Sequence, residues 1–128
     1  MAGVDIVACC TSASTPLFDS AVLRPKACVV AIGSHDPDAR EVDTALVARA
    51  TVVVETRQSA LSQAGDVVLA IGDGVPEAEA ITGDLAELVR GAVHPASGRP
   101  RLFKGVGEAW SDVVVASAAV EHLLRGRG

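Results

Sequence analysis

Three short apolar runs constrain this chain more than anything else in it. Residues 5–11 (DIVACCT), 27–33 (ACVVAIG) and 51–55 (TVVVE) are rich in β-branched and small residues and show no apolar–polar alternation. A strand with one wet face alternates. A run that does not alternate reads as a strand covered on both faces, which is the habit of parallel sheets. Parallel neighbours need crossover connections, and the intervening segments carry helix signals. Asp43 stands ahead of residues 44–50, where Ala45, Leu46, Ala48 and Arg49 favour a helix. The spacing therefore predicts an α/β chain built on a parallel sheet of three or four strands.

The rest of the chain is punctuated by loop residues. Residues 11–16 (TSASTP) break the first run, and residues 17–23 have room for one helical turn before Pro25. Thr56 caps a helix over 56–64 that Gly65 should stop. Residues 66–71 (DVVLAI) read as strand or turn, and 76–80 as one helical turn. Thr82 or Asp84 caps a helix running to Val89. Residues 101–104 make a brief strand. The longest helix covers 107–124, with Ala109, Trp110, Val113, Val114, Ser117, Val120 and Leu124 at helical spacing. Residues 125–128 should fray.

Composition narrows the function classes. With 128 residues the chain is one domain. A net charge of −5 with no basic run speaks against nucleic acid as a partner. No apolar stretch approaches the ~20 residues of a membrane span, and residues 1–6 lack the blocks of a signal peptide. Three cysteines, two of them adjacent, suit a reducing cytoplasm better than a disulfide framework. Neither His94 nor His122 has a partner at metal-ligand spacing, so no metal site is expected. The first strand begins almost at residue 1. A small sheet with a raw first edge is a poor stand-alone unit. The whole looks like the second half of a doubly wound, Rossmann-like domain followed by a long helix.

Several segments also carry a resemblance. Asp5, Ile6 and Val7 with Thr11 and Ser12, then residues 30–33 (VAIG), 37–43 (PDAREVD), 64–66 (AGD) and 102–107 (LFKGVG) with Asp112 stand in a familiar order. Together they resemble the C-terminal part of the ornithine cyclodeaminase/mu-crystallin family. The resemblance implies a Rossmann domain binding NAD or NADP and chemistry on small amino acids or imines. It also implies that the N-terminal substrate and dimerisation region is absent. No Gly-x-Gly-x-x-Gly follows any strand here, so the turn that seats a cofactor pyrophosphate is expected to be missing, and with it tight cofactor binding.

The residues implied as the site lie at strand ends. The resemblance puts Thr11, Ser12, Ile32, Gly33, Lys104, Gly105 and Val106 against the cofactor, with Thr11 near its ribose. In doubly wound sheets, ligands do lie beyond the carboxyl ends of the strands. Thr11 and Ser12 read equally as residues that satisfy loop backbone groups, and Lys104 as a surface charge. In the loop after the second strand, ornithine cyclodeaminases carry a catalytic aspartate. Aligned on Pro37, that position is His35, and Asp36 is one residue off. The departure argues against ornithine cyclodeamination. An imidazole titrates near neutral pH and could donate a proton to an imine, although a solvated loop histidine is the simpler reading. Cys9, Cys10 and Cys28 fall within strands and should behave as small apolar residues.

Two functions remain open at this level. One is a fragment of an NAD(P)-dependent amino-acid dehydrogenase or imine reductase, inactive alone. The other is a non-catalytic Rossmann-like module that self-associates as a homo-oligomer or binds a partner, through the first strand's free edge or the apolar face of the last helix.

Overall fold

A computed structural model of the chain describes residues 3–126. Five strands form one parallel sheet: β1 (Ile6–Cys9), β2 (Cys28–Ala31), β3 (Thr51–Val54), β4 (Gly83–Asp84) and β5 (Arg101–Lys104), in the order β1-β2-β5-β3-β4. The first, second, third and fifth strands share one register, with Cys9 beside Ala31, Ala31 beside Lys104 and Lys104 beside Val54. β5 comes last in sequence yet fills the centre.

Six helices connect and extend the strands: α1 (Thr44–Arg49), α2 (Arg57–Gln63), α3 (Gly65–Gly72), α4 (Glu77–Ala80), α5 (Leu85–Val89) and α6 (Ala109–Arg125). The cap residues act as expected. Asp43 accepts from the Leu46 amide, Thr56 from Ser59, and Asp84 closes a capping box with Glu87. Thr82, the other candidate cap, instead accepts from the Val52 amide at 3.0 Å. The helical turn expected in 17–23 is the 3-10 turn Ser20–Val22, capped by Asp19. Arg125 closes α6, and residues 127–128 of the expected fraying tail lie outside the described residues.

Residues 66–71 are neither strand nor turn. They form α3, and Gly65, expected to stop the helix over 56–64, instead begins this next one, Ala64 being the C-cap of α2. A Cβ on Gly65 would overlap the carbonyl oxygens of Ala39 and Asp36, so glycine lets α3 start flush against the 36–39 turn. A second correction concerns β1. Parallel register puts Val7, Val29, Leu102 and Val52 on one face with Cys9, Ala31, Lys104 and Val54, and that face holds the core. Ile6, Ala8, Cys28, Val30 and Phe103 share the other face. β1 lies at the sheet edge, Ile6 is 68% exposed, and only Cys9 of its four residues is buried. The strand is thus covered on one face only, because no helix among the described residues packs over Ile6 and Ala8. β3, in contrast, is buried at all four positions.

No residue of α6 is buried, and Trp110 at its start is about half exposed. Among the described residues no helix is long and apolar enough to cross a membrane, and no group of histidine, cysteine or acidic side chains could hold a metal ion.

Candidate functional site

Because the strands are parallel and in register, their carboxyl ends meet at one edge. The turn after β1 carries Thr11 and Ser12, the turn after β2 carries Ile32 to His35, and that after β5 carries Gly105 and Val106. The Ile32 amide donates to Cys9 O at 2.9 Å and the Gly105 amide to Ala31 O at 3.0 Å, so neighbouring ends are stitched before they diverge. Ser12, Gly33 and His35 line one cavity of about 210 Å³, with Ala13, Ser34, Asp36 and Ala39. Ile32, half exposed, opens the same β2 turn, with its Cγ2 3.3 Å from where a Gly105 Cβ would be. Thr11, Lys104, Gly105 and Val106 do not line that cavity.

Lys104 is not a surface charge. It is 1% exposed and turned into the core face, where its Nζ lies 2.9 Å from Asp66 Oδ2 and donates to Ser34 O at 2.6 Å. Asp66, in the first turn of α3, accepts through Oδ1 from the Glu41 and Val42 amides at 2.7 and 2.8 Å. Its Oδ2 is held by Lys104 as an ion pair rather than a well-angled hydrogen bond.

Glu41 is the centre of the arrangement. It is fully buried. Its Oε1 accepts from the Thr11 amide at 2.6 Å and the Thr11 hydroxyl at 2.9 Å, and its Oε2 from the Gly33 and Ser34 amides at 2.8 and 3.3 Å. Burial opposes its charge, but the donors from Thr11, Gly33 and Ser34 together outweigh it and hold the carboxyl below its ordinary value. Gly33 must be glycine, because a Cβ would overlap the Thr11 backbone. Cys9, next to this network, has its thiol pushed up to about 11 by burial first and then by Glu41 and Asp66.

A second carboxylate does the same for the β5 turn. Glu55, just past β3, accepts from the Val106 and Gly107 amides, both at 2.9 Å. Gly107 has a φ of +88°, a conformation that favours glycine. Sequence reasoning assigned no role to Glu41, Asp66 or Glu55. Glu41 and Asp66 stood inside the segments that carry the resemblance, and that was the one available signal.

The family model for the ornithine cyclodeaminase/mu-crystallin family matches residues 1–127. The chain belongs to that family. Among relatives, it is 35% identical over 125 residues to a Delta(1)-pyrroline-2-carboxylate reductase of Colwellia psychrerythraea, covering 96% of this chain and 40% of the relative. It is 31% identical to the ketimine reductase mu-crystallin of Rattus norvegicus, covering 98% and 38%. The structure of Thermococcus litoralis Delta(1)-pyrroline-2-carboxylate reductase, in complex with NADH and L-proline, superposes with a TM-score of 0.87 at 30% identity, over 98% of this chain and 39% of that one. This member of the family thus spans about 40% of the length of the curated relatives it matches. Its fold is the expected Rossmann-like parallel sheet with flanking helices and a long last helix.

Proposed function

We propose that these 128 residues form the second half of the NAD(P)-binding domain, plus the last helix, of a reductase acting on a cyclic imine of a small amino acid. The reading is supported above all by the convergence of the β1, β2 and β5 turns at the carboxyl edge of the sheet, in a chain whose relatives are named as pyrroline-carboxylate and ketimine reductases. The residues present fit the nicotinamide end of a dinucleotide. Exposed Ile32 beside Gly105 offers an apolar surface, and Ser12 a hydroxyl at the adjacent strand end, where the Thr11 hydroxyl donates to Glu41. They do not include a glycine-rich turn for the pyrophosphate. A bound NAD(P)H would supply the hydride.

The chain's own contribution would be the proton and the walls. His35, exposed at the cavity shared with Ser12 and Gly33, stands where a cyclodeaminase has its aspartate and would donate to the imine nitrogen. A neutral imidazole lacks the fixed negative charge of a carboxylate, which disfavours ornithine as substrate. The setting is the cytoplasm, in keeping with three free cysteines. Substituting residues 1–128 for the matching part of the Colwellia reductase tests the reading. The chimera should oxidise NAD(P)H in the presence of Δ1-pyrroline-2-carboxylate, and His35→Ala should lower the rate by ~10²-fold. Efficient conversion of ornithine to proline, or indifference to His35→Ala, would sink it. The 128 residues alone should bind NADH weakly or not at all by calorimetry, and micromolar binding would count against their being only the second half of the cofactor domain.

The exposed Ile6 and Ala8 of the edge strand β1, together with α6, favour a second reading, in which the chain self-associates. Sedimentation decides it. A strict monomer in which Trp110 fluorescence is blue-shifted and quenched would speak against a docking role for these surfaces.

A further inference from the structure

We propose that Glu41 is a positioning residue, whose buried carboxylate clamps the turn after β1 to the turn after β2 and so sets the width of the cavity between Ser12 and His35. Its bearing on catalysis rests on the reductase reading, but the clamp itself does not.

The backbone donors involved have no other use. The amides of Thr11, Gly33 and Ser34 lie beyond the strand ends and meet no backbone acceptor among the described residues. A buried amide without an acceptor is costly, and a buried carboxylate without donors more so. Here each defect cancels the other. The division of labour is specific: Oε1 serves only the β1 turn, through Thr11 N and Oγ1, and Oε2 only the β2 turn, through Gly33 and Ser34. The two turns are therefore spaced by the two oxygens of one rigid, planar group.

The clamp is itself held from below. The Glu41 amide is fixed by Asp66, Asp66 is paired with Lys104, and Lys104 donates to the carbonyl of Ser34, whose amide returns to Glu41. The ring Glu41–Asp66–Lys104–Ser34 closes on itself and ties α3 and β5 to the cavity wall. No cation pairs with Glu41 among the described residues, so its charge is neutralised by the turns it holds. A glutamine keeps the shape but has one acceptor oxygen, and its amide nitrogen would face donors from one of the two turns. An aspartate keeps both oxygens but is one methylene shorter.

Amide hydrogen exchange followed by NMR on the full 128-residue chain tests this without any cofactor. In the unaltered protein the Thr11, Gly33 and Ser34 amides should be protected although they lie outside the strands. Exchange at open-loop rates there would overturn the clamp, whatever any variant does. In Glu41→Gln, protection at one or both turns should fall about 10- to 100-fold, while the β3 amides of residues 52–54 stay protected. Unchanged protection at all three amides overturns the proposal. So does an equal loss at β3, which would make Glu41 a general stabiliser. If Glu41→Gln does not fold, the exchange of the unaltered chain and of Glu41→Asp decides, with the same selective loss expected in the latter. Failure of the reductase reading in the chimera assay leaves this result standing, and failure here leaves an active chimera unexplained by Glu41 but still active.

Discussion

Replacing Lys104 by methionine removes one charge from the closed ring and little else. The stem keeps nearly its length, and the apolar volume in the core face is retained. Both Lys104 and Asp66 side chains are fully enclosed, with 2.9 Å between Nζ and Oδ2. After the change, Asp66 keeps its two backbone donors but has no cation, and Ser34 O loses its 2.6 Å donor. Removing one partner of a buried ion pair costs ~3–5 kcal/mol, because the remaining charge stays in a medium that solvates it poorly. Domains of this size are stable by about 5–15 kcal/mol, so the loss is roughly a fifth or more of the total. It should appear as a fall in Tm on the order of 10–20 °C. Urea unfolding followed by far-ultraviolet circular dichroism is the suitable assay, since Trp110 lies half exposed outside the core. Adding Asp66→Asn to Lys104→Met removes the stranded charge while leaving an oxygen for the Glu41 and Val42 amides. The double variant should be less damaged than the sum of the singles by about 2 kcal/mol. A loss below ~1 kcal/mol for Lys104→Met, or additivity within ~0.5 kcal/mol, would refute the reasoning.

Three other outcomes follow from the same packing. Gly65→Ala should cost about 2–3 kcal/mol because its Cβ meets the Ala39 and Asp36 carbonyls, whereas Gly72→Ala, with open space around it, should be neutral or stabilising by up to ~0.5 kcal/mol; comparing the two Tm values checks both. Iodoacetamide should label exposed Cys10 about a hundredfold faster than Cys9, which is 2% exposed with its thiol raised to about 11, and equal labelling by mass spectrometry would contradict the burial argument. Glu41 is held below its ordinary 4.5, so the unfolded chain takes up its proton first as the solution is acidified; the stability Glu41 contributes is full above about pH 4.5 and drains as pH falls toward the folded value. A Tm series from about pH 6 to 3.5 should slope downward at the acid end and slope less in Glu41→Gln, with parallel curves as the disproof.

The parts of the fold that were legible in the sequence are those in which a local signal and the tertiary role agree. β2 and β3 announce themselves as short apolar runs, and Asp43, Thr56 and Asp84 as side chains that accept from helix amides. α3 does not, because its apolar residues 67–71 leave no polar stripe to reveal a helical period. β4 is two residues, Gly83 and Asp84, and becomes a strand only by pairing with Val53 and Val54. The one-sided exposure of β1 was hidden because a β-branched run looks the same whether or not a neighbour covers it. At the site, the strand-end positions could be read from the rule that parallel strands gather their carboxyl ends. The clamp could not. Glu41 ahead of a helix looks like an ordinary solvated acid, and its purpose lies in a Thr11 amide thirty positions away.

Placing the last strand at the centre has a consequence for the order of events during synthesis. β2 and β3 never touch as neighbours, since each pairs with β5 instead. Until residues 101–104 emerge, the nascent chain holds two separate strand pairs, β1 with β2 and β3 with β4, and a gap one strand wide between them. The sheet then closes in a single late step that joins positions about 50 and 73 residues apart, Thr51 and Cys28 each to Arg101. Such distant closures are slow. The core valines of β2 and β3 lack their shared strand partner for that interval, so a nascent chain whose residues 101–104 have not yet left the ribosome would present a binding surface for chaperones that disappears once β5 emerges and pairs.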